Sequence, residues 1–383
     1  MRLIDLVLKN LLRRKLRSTL TVVGLAIAVA TVVTLVGAAR NLRQSAAAAY
    51  KNQGVDLVVV RAGAVQRTSS SLDQRLARRI AALPGVGDVV PALTDVISLS
   101  GSGVVGLPVH GWPAGSPVWN NLKLIEGRRL TADDHNGVLL GNGLAKNLKK
   151  RVGDTVEIEL RRFRVVGVYQ SANPFESGAA VVLLADLQKL MDRKGQVSEF
   201  LVMLAADESD RKDAIEAVKQ QVDQLTDDGG DPLRLTALAT EQYVSQDMEI
   251  QLADEMAWGT SFIALVIGCV GVLNTMLMSV MERTQEIGVL RALGWRKSRV
   301  MEMILSESCL LSLAGAVLGT GLGSVLVAVL SRFTVARGLI RGNVSAATVL
   351  AGFALAVVVG LIAAIYPAYR GANLQPTEAL RYE

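Results

Sequence analysis

Long apolar stretches alternate with charged segments along this chain. Four runs contain no charged residue, and they cover residues 18–39, 256–281, 308–331 and 342–369. Each run has at least the roughly 20 residues that a helix needs to cross about 30 Å of hydrocarbon. Residues 40–255, between the first two runs, have the mixed composition of a soluble domain. The pattern predicts one membrane span, a large extramembrane domain and three further spans.

The uncharged runs also give the predicted domain boundaries. The two termini and the loops between spans are short, so the segment between the first and second spans is the one large domain outside the membrane. The predicted order is an N-terminal amphipathic segment 1–19, span 20–39, domain 40–255, span 256–281, loop 282–307, span 308–331, loop 332–345, span 346–368 and tail 369–383.

Basic residues near the span ends predict the orientation. Residues 1–19 hold six basic residues and only Asp5 as an acidic one, which places the N-terminus in the cytoplasm. Alternation then puts domain 40–255 and loop 332–345 outside, and the C-terminus inside. Loop 332–345 is basic for an outer loop, but residues 1–19 and loop 282–307 outweigh it. An alternative interpretation of the first run is a cleaved signal peptide. The run is longer than the 7–15 apolar residues of such peptides, so we expect a retained span.

The net charge of +6 supports this topology rather than nucleic-acid binding. Residues 40–255 carry 25 Lys and Arg against 28 Asp and Glu, a net charge of −3. The rest of the chain carries 16 basic and 7 acidic residues, a net charge of +9, beside the spans. Both cysteines, Cys269 and Cys309, lie in predicted spans, so the large domain has no disulfides and depends on its core.

The large domain shows alternating strand and helix patterns, which predict an α+β fold in two small subdomains. The Gly- and Pro-rich residues 108–159 are expected to form the inserted subdomain. Its flanks, 41–53 and 241–255, are compatible with helical stalks that continue the first two spans, or with ordinary linkers. Strands are predicted at 55–61, 87–99, 155–160, 163–169, 181–184 and 199–204, and helices at 71–83 and 207–225.

A charged segment of helical period lies between the second and third apolar runs. Residues 282–302 hold five basic and three acidic residues. Ile287, Leu290 and Leu293 are spaced at i, i+3 and i+6, which predicts an apolar helix face. Two interpretations are open from period and charge alone: a surface for a cytoplasmic partner, or an interfacial helix that only connects two spans. In the third run, three glycines at small-xxx-small spacing predict close helix packing: Gly315, Gly319 and Gly323.

Several segments resemble those of ABC-transporter permeases of the MacB/FtsX/LolC type. The most specific is Glu-Arg-Thr-Gln-Glu-Ile-Gly-Val-Leu-Arg-Ala-Leu-Gly at 282–294, which is similar to the family's cytoplasmic coupling helix. Residues 10–20 resemble its basic N-terminal helix, and residues 367–381 its C-terminal tail. Residues 138–145 and 152–157 resemble the MacB-like periplasmic domain. The resemblance extends over essentially the whole chain.

The resemblance implies both a fold and a set of partners. The fold is a membrane protein with four transmembrane α-helices and a large MacB-like α+β extracytoplasmic domain inserted between helix 1 and helix 2. The partners are a cytoplasmic ABC ATPase subunit, which binds ATP and Mg, and a second permease copy or a related chain. ATPase closure is transmitted through spans and stalks to the outer domain. The implied coupling interface consists of Glu282, Arg283, Glu286, Ile287, Gly288, Leu290, Arg291, Ala292 and Gly294.

No pattern in the sequence indicates catalysis. A P-loop needs Gly-Lys followed by Ser or Thr, and the sequence has no Gly-Lys pair. We therefore expect a non-catalytic subunit without its own cofactor or metal, driven by a separate ATPase. His110 and His135 are the only histidines and have no partner at metal-ligand spacing, so surface or turn positions are expected for them.

Three functions remain open at this stage. The first is an export or membrane-extraction permease for an amphiphilic or lipophilic substrate, which includes lipoprotein release. The second is an FtsX-like transmembrane regulator of an envelope hydrolase. The third, a membrane anchor with a ligand-binding outer domain, is disfavoured by the coupling segment. The expected location is the bacterial cytoplasmic membrane, in contact with lipid. A periplasmic adaptor or outer-membrane partner is left open, and no nucleic acid is expected.

Overall fold

The computed structural model describes residues 15–63, 70–99, 104–171, 174–207, 210–227, 229–331 and 344–374. They form two compact units. We call them the helical unit, which comprises the described residues of Met1–Arg40, Ala253–Leu330 and Gly342–Glu383, and the sheet unit, within Asn41–Leu252.

Helices and strands alternate in the sheet unit, whereas long helices dominate the helical unit. The helices are α1 (Lys15–Asn52), α2 (Leu76–Ala81), α3 (Asn142–Leu148), α4 (Pro174–Ser177), α5 (Leu184–Leu190), α6 (Arg211–Asp223), α7 (Thr240–Ser245), α8 (Met248–Glu282), α9 (Thr284–Ala292), α10 (Lys297–Leu330) and α11 (Ala346–Ala372). The strands are β1 (Leu57–Arg61), β2 (Leu72–Asp73), β3 (Val86–Leu99), β4 (Val104–Trp112), β5 (Lys123–Gly127), β6 (Gly137–Gly141), β7 (Thr155–Ile158), β8 (Arg161–Gln170), β9 (Ala180–Leu183), β10 (Gln196–Val197), β11 (Glu199–Leu204) and β12 (Leu235–Ala239).

Four of the described helices, α1, α8, α10 and α11, are long and apolar enough to cross a membrane. These helices extend beyond most of the uncharged runs. Helix α1 ends at Asn52 rather than at residue 39, and α10 begins at Lys297 rather than at residue 308, so much of the predicted loop 282–307 is helical. Charged residues such as Lys, Arg and Glu are good helix formers, so a helix continues through them after the apolar run has ended.

Glycines allow α10 to approach α1 closely. A Cβ atom on Gly319 would lie 2.7 Å from the carbonyl oxygen of Ala26 and 2.7 Å from the Cβ of Val29. Gly315 and Gly323 meet the same helix at similarly short distances. The stripe that the sequence assigned to helix packing therefore packs against the first helix of the same chain, where small residues permit close backbone contact.

A second close contact joins α10 to α11. A Cβ atom on Gly360 would lie 1.6 Å from the Oγ of Ser312, so only glycine fits at this position. The hydroxyl of Ser308 donates to the carbonyl oxygen of Gly360 at 2.9 Å. Such a bond satisfies a hydroxyl that apolar surroundings would otherwise leave unpaired.

One long sheet forms the centre of the sheet unit. Its strand order is β12-β1-β11-β3-β4-β9-β6-β8-β5, and β7 pairs with β8. Most pairs are antiparallel, whereas β4 with β9 and β6 with β8 are parallel. Together with the short helices this is an α+β arrangement, as predicted. All the predicted strands are present, with ends within two residues of the predicted positions.

Both faces of this sheet are covered. In β1, Leu57 and Val59 belong to one buried apolar cluster and Val58 belongs to a second. In β6, Leu140 belongs to the first cluster and Leu139 to the second. Successive side chains point to opposite faces of a strand, so continuous apolar runs are typical of strands buried on both sides.

The predicted helix at 71–83 is only half formed. Residues Leu72–Asp73 form β2 and pair with Gln196–Val197, and the helix is confined to Leu76–Ala81. The helical spacing of leucines is real, but pairing with a distant strand removes the first turn. Tertiary contacts of this kind override local propensity. The helix predicted at 207–225 is also shorter and spans Arg211–Asp223.

The predicted inserted subdomain at 108–159 has no sheet of its own. Its strands continue the main sheet, because β4 pairs with β3 and β9, and β5, β6 and β7 all pair with β8. The prediction was based on glycine and proline content, and these residues instead permit close contacts within one sheet. A Cβ atom on Gly127 of β5 would lie 2.7 Å from the Cα of Gly167 of β8.

The two predicted stalks differ from each other. Residues 41–52 continue α1 without interruption. The second stalk is broken, because α7 ends at Ser245 and α8 begins at Met248. Asp247 explains the break, since its carboxylate accepts from the N–H of Ile250 at 3.4 Å and its carbonyl from the N–H of Gln251 at 2.9 Å. Aspartate is a favoured helix N-cap, and a new helix starts there.

Replacement of Gly319 tests the packing between α10 and α1. We expect Gly319→Val to lower the free energy of unfolding by about 1–3 kcal/mol, because the added methyl groups overlap Ala26 and Val29. Gly321→Val is the matched control on the same helix, where a Cβ atom meets nothing within 4 Å. Thermal unfolding of the full chain in nanodiscs measures both. Equal stability of the two variants would contradict the assigned contact.

Candidate functional site

A single residue, Arg283, separates helix α8 from helix α9. Helix α8 ends at Glu282 and α9 begins at Thr284. Between them, Arg283 has φ −110° and ψ 17°, outside the helical range. Its N–H donates to the carbonyl of Val280 at 3.2 Å, and its own carbonyl accepts from Ile287 at 2.9 Å. The chain therefore changes direction at Arg283 without losing its hydrogen bonds.

The side chain of Arg283 points into the protein. Its Nη1 donates to Oε2 of Glu307, on α10, at 3.1 Å, and its Nε donates to Oε2 of Glu286, on α9, at 3.1 Å. The side chains of Arg283 and Glu307 are 10% and 9% exposed. Buried charges are tolerated only with a partner, so this contact ties three helices together. Glu307 was not singled out in the sequence, although it directly precedes the third uncharged run.

Ile287 also faces inward, which corrects the predicted apolar docking face. It is 2% exposed, and Gly288 beside it is buried. Ile287 therefore packs within its own chain instead of presenting an apolar surface to a partner. Its cluster consists of Val280, Val300, Met303, Ile304, Ala368 and Ala372.

The exposed surface of α9 lies on its other side. Leu293, just after the helix, is 75% exposed, and Val289 and Ala292 are also exposed. Glu286 keeps an exposed carboxylate although it pairs with Arg283. This surface, which we call the outward face (Glu286, Val289, Ala292 and Leu293), combines apolar and acidic groups. It shares Glu286 and Ala292 with the predicted coupling interface, whereas Val289 and Leu293 were not among the residues predicted for it.

Gly294 terminates α9. Its φ of +93° is a left-handed conformation that favours glycine. Its N–H donates to the carbonyl of Arg291 at 3.1 Å, and the N–H of Trp295 donates to the carbonyl of Leu290 at 3.1 Å. The guanidinium of Arg291 also bonds within the chain, since Nη1 donates to the carbonyl of Trp295 at 2.9 Å. Leu290 is half-buried, so it contributes less than Leu293 to the outward face.

A further ion pair links the first and second apolar helices at this end. Arg17, near the start of α1 as described, pairs with Glu282, the last residue of α8. Both side chains are partly exposed. The charged segment is thus attached to α1 by Glu282 and to α10 by Arg283, through adjacent residues.

In the sheet unit, the end of α1 meets α7. The ammonium of Lys51 lies 2.6 Å from Oε1 of Glu241 and lowers the pKa of that carboxyl group. The rings of Tyr50 and Tyr243 meet edge to face with centroids 5.6 Å apart. Helix α1 leads into the sheet unit, and α7 directly precedes α8, which leads out of it. This contact, which we call the stalk base, therefore joins the two chain segments that connect the sheet unit to the helical unit.

A buried carboxylate fixes α7 to the sheet. Glu199 of β11 is 2% exposed and accepts from the hydroxyls of Thr94, at 3.0 Å, and Tyr243. The Nδ1 of His110 lies 3.1 Å from Oγ1 of Thr94. Since the single hydroxyl proton of Thr94 points to Glu199, His110 must donate to Thr94. His110 is therefore a half-buried network residue and not the predicted surface or turn residue. His135 is exposed in a turn, as predicted.

Glu176 makes a second polar contact at the end of α1. Its carboxylate accepts from the hydroxyl of Ser171 at 2.6 Å and from the amide of Gln53 at 3.3 Å. Burial raises the pKa of the Glu176 carboxyl group, and these two hydrogen bonds only partly offset that effect. The first residue after α1 is therefore held by a largely buried acid whose pKa is raised.

The described residues include no group of three or more His, Cys, Asp or Glu side chains placed to hold a metal. A small cavity lies beside Arg283 in the helical unit. Its lining is mostly apolar, and it consists of Met276, Ser279, Val280, Arg283, Ile287, Met303, Ile304 and Glu307.

Two family models match the chain. The MacB-like periplasmic core domain matches residues 18–221, and the FtsX-like permease C-terminal domain matches residues 258–376. The chain belongs to the MacB/FtsX-type ABC-transporter permeases. Its four apolar helices and this membership make it a multi-pass membrane protein.

Relatives of this MacB/FtsX-type permease differ in length. A macrolide export ATP-binding/permease protein MacB of Bdellovibrio bacteriovorus is 28% identical, over 98% of this chain and 61% of its own length. An uncharacterised ABC transporter permease of Methanocaldococcus jannaschii is 31% identical, over 67% of this chain and 65% of its own. The ABC transporter permease YknZ of Bacillus subtilis is 26% identical, over 99% of this chain and 98% of its own. The chain thus spans less than two thirds of the first two relatives.

Loss of the Tyr243 hydroxyl tests the link between α7 and the sheet of the permease. We expect Tyr243→Phe to weaken the local structure by about 1–3 kcal/mol, because Glu199 loses a donor in a buried site. Hydrogen exchange of the peptide that contains residues 240–245 measures the loss of protection. Ser245→Ala, which removes a less buried hydroxyl from the same helix, is the control. If the peptide exchanges as slowly as in the unchanged chain, the hydrogen bond between Tyr243 and Glu199 does not stabilise α7.

The pH dependence of stability tests the environment of Glu176. A carboxyl group with a raised pKa in the folded state adds stability below its ordinary value of 4.5, and that stability is lost as pH rises through the folded pKa. Glu176→Gln resembles the protonated form, so the variant should unfold at a higher temperature than the unchanged permease at pH 7.5 and at the same temperature at pH 4. Glu157→Gln, at an exposed site, should show no such difference. A Glu176→Gln variant that is less stable at pH 7.5 would exclude the raised pKa.

Proposed function

We propose that this chain is the permease subunit of an ABC transporter, which couples ATP hydrolysis by a separate cytoplasmic ATPase to movement of its extracytoplasmic domain. That movement drives export or membrane extraction of an amphiphilic or lipophilic substrate. The observation that carries the proposal is the joint at Arg283, where a partly exposed ion pair to Glu286 and a buried ion pair to Glu307 connect α9 to the membrane-crossing helix α10. Such a joint suits the transfer of force from a partner.

Chain connectivity supports this mechanism. Both α1 and α8 contain residues of the helical unit and of the sheet unit. Each has a charged contact near the coupling segment, through Arg17 and Glu282. In the sheet unit, the stalk base and the Glu199 network join the residues that follow α1 to those that precede α8. A displacement of α9 therefore has two covalent routes to the sheet.

The names of the relatives support an ABC ATPase as a partner. One relative is named an ATP-binding/permease protein, and another is named a permease alone. A P-loop that binds ATP needs a Gly-Lys pair, and none occurs in residues 1–383. We propose that two permease copies each present an outward face to one ATPase of a pair, with ATP and Mg held by the ATPases.

The proposed location is the bacterial cytoplasmic membrane with both termini in the cytoplasm. Six basic residues in positions 1–19, together with the basic residues of 283–299, support this orientation by the positive-inside rule. The sheet unit then lies outside the cytoplasm and α9 inside. This arrangement gives the outward face access to a cytoplasmic partner.

Export is the favoured outcome over regulation of an envelope hydrolase. The supporting observation is that both families match, so the outer domain resembles that of a transporter named for macrolide export and not only the three-span part shared with FtsX. The FtsX-like regulator and the lipoprotein-release permease are outcomes of the experiment below. Stimulated ATPase activity with substrate release from vesicles supports transport. Stimulated ATPase activity with activation of a hydrolase and no release supports regulation.

Substitution at Leu293 tests the outward face. In proteoliposomes with the ABC ATPase that copurifies with the chain, we expect Leu293→Asp to weaken ATPase binding at least about tenfold, because truncation of an interface anchor costs more than 1 kcal/mol. Leu160→Asp, at an 82% exposed leucine of the sheet unit, is the matched control and should bind normally. Titration of ATPase stimulation with permease measures the affinity. Wild-type affinity for Leu293→Asp would exclude this face from the interface.

A further inference from the structure

We infer that Glu286, Arg283 and Glu307 form an ionic relay that sets the position of α9 on α10. The relay begins at a carboxylate on the outward face, passes through the guanidinium at the joint and ends on the third apolar helix. Arg283 and Glu307 are positioning residues that act through α9. The inference rests on the proposed function for the direction of force, but the relay itself is a property of the chain alone.

Geometry is the first argument for the relay. One guanidinium uses different nitrogens for its two partners, Nε for Glu286 and Nη1 for Glu307, both at 3.1 Å. A planar guanidinium with donors in a fixed fork holds two carboxylates at a defined angle, which an ammonium group does not. The three side chains belong to the residue after α8, to α9 and to α10, so the relay defines the orientation of one helix against another.

The surroundings of the pair are the second argument. Apolar side chains of Ile287, Met303 and Ile304 line the cavity beside it, and Ser279 is the only other polar lining residue. Little water reaches such a site, so the attraction between Arg283 and Glu307 is weakly screened. An ion pair of this kind rarely adds net stability compared with apolar residues of the same size. Apolar residues would stabilise this site equally well, so a function in positioning α9 accounts for the charges of Arg283 and Glu307.

The absence of helix at Arg283 is the third argument. Because Arg283 breaks the helical path between α8 and α9, backbone continuity alone does not hold α9 in one orientation. The buried side of α9 contributes Ile287 and Gly288, which pack without directional bonds. The first turn is also bonded to α8, because Oγ1 of Thr284 donates to the carbonyl of Met281 at 2.6 Å, and the ion pairs add the directional contact to α10. They therefore make α9 and α10 move together when a partner displaces α9.

Distance measurement between spin labels tests the relay in the full chain in nanodiscs, without any ATPase. Labels are attached at Leu293→Cys and Val317→Cys, both exposed positions, after replacement of Cys269 and Cys309 by serine. We expect one narrow distance distribution in this background. Glu307→Gln should at least double its width. Glu302→Gln, the same change at an exposed site on the same helix, should leave the width unchanged.

A double variant separates positioning from packing. Arg283→Met with Glu307→Leu removes both charges and fills the site, so its unfolding temperature should stay within a few degrees of the background, while its distance distribution stays at least twofold broader. A narrow distribution in this variant would overturn the relay, because packing alone would then position α9. This readout needs no ATPase, so loss of the relay and failure of the proposed function are distinguishable. If the ATPase does not bind but the distance distribution still broadens in the variants, only the proposed function is contradicted.

Discussion

Hydrocarbon offers no water to polar groups, and this constraint shapes the whole helical unit. Several polar side chains on the long helices find partners inside the unit: the guanidinium of Arg40 donates to Thr348 at 3.2 Å, and Ser308 donates to a carbonyl of α11. The strongest case is the buried pair of Arg283 and Glu307. Each such bond also fixes one helix against another, so the requirement for satisfied polar groups becomes a set of mechanical links.

These links lie where the proposed transmission of force requires them. At one end of α8, adjacent residues bond to α1 and to α10, and α9 presents a mixed apolar and acidic face. In the sheet unit, buried Glu199 attaches α7 to the sheet, and the stalk base attaches α1 to α7. Within the helical unit the long helices pack through glycines, and in the proposed mechanism this packing carries displacement because close-packed interiors are hardly compressible.

Local patterns in the sequence were sufficient to predict the long helices and the strands, but not the contacts of the candidate site. Apolar runs and alternation predicted the four long helices and the strands, because both depend on near neighbours in sequence. The direction of Ile287, the partner of Arg283 and the network of His110 depend on residues far away in the chain, so spacing could not predict them. Residues 71–83 show the same limit, since a strand more than a hundred residues away competes with the local helix.

The proposed function requires the outer domain to move during ATP turnover. The most direct measurement is the distance between spin labels at Leu160→Cys on two permease copies, in a cysteine-free background reconstituted with the ATPase. We expect this distance to change by several ångströms between the nucleotide-free and the vanadate-trapped complex. An unchanged distance, in a complex that hydrolyses ATP and carries out its function, would contradict the proposed coupling of ATP hydrolysis to movement of the outer domain.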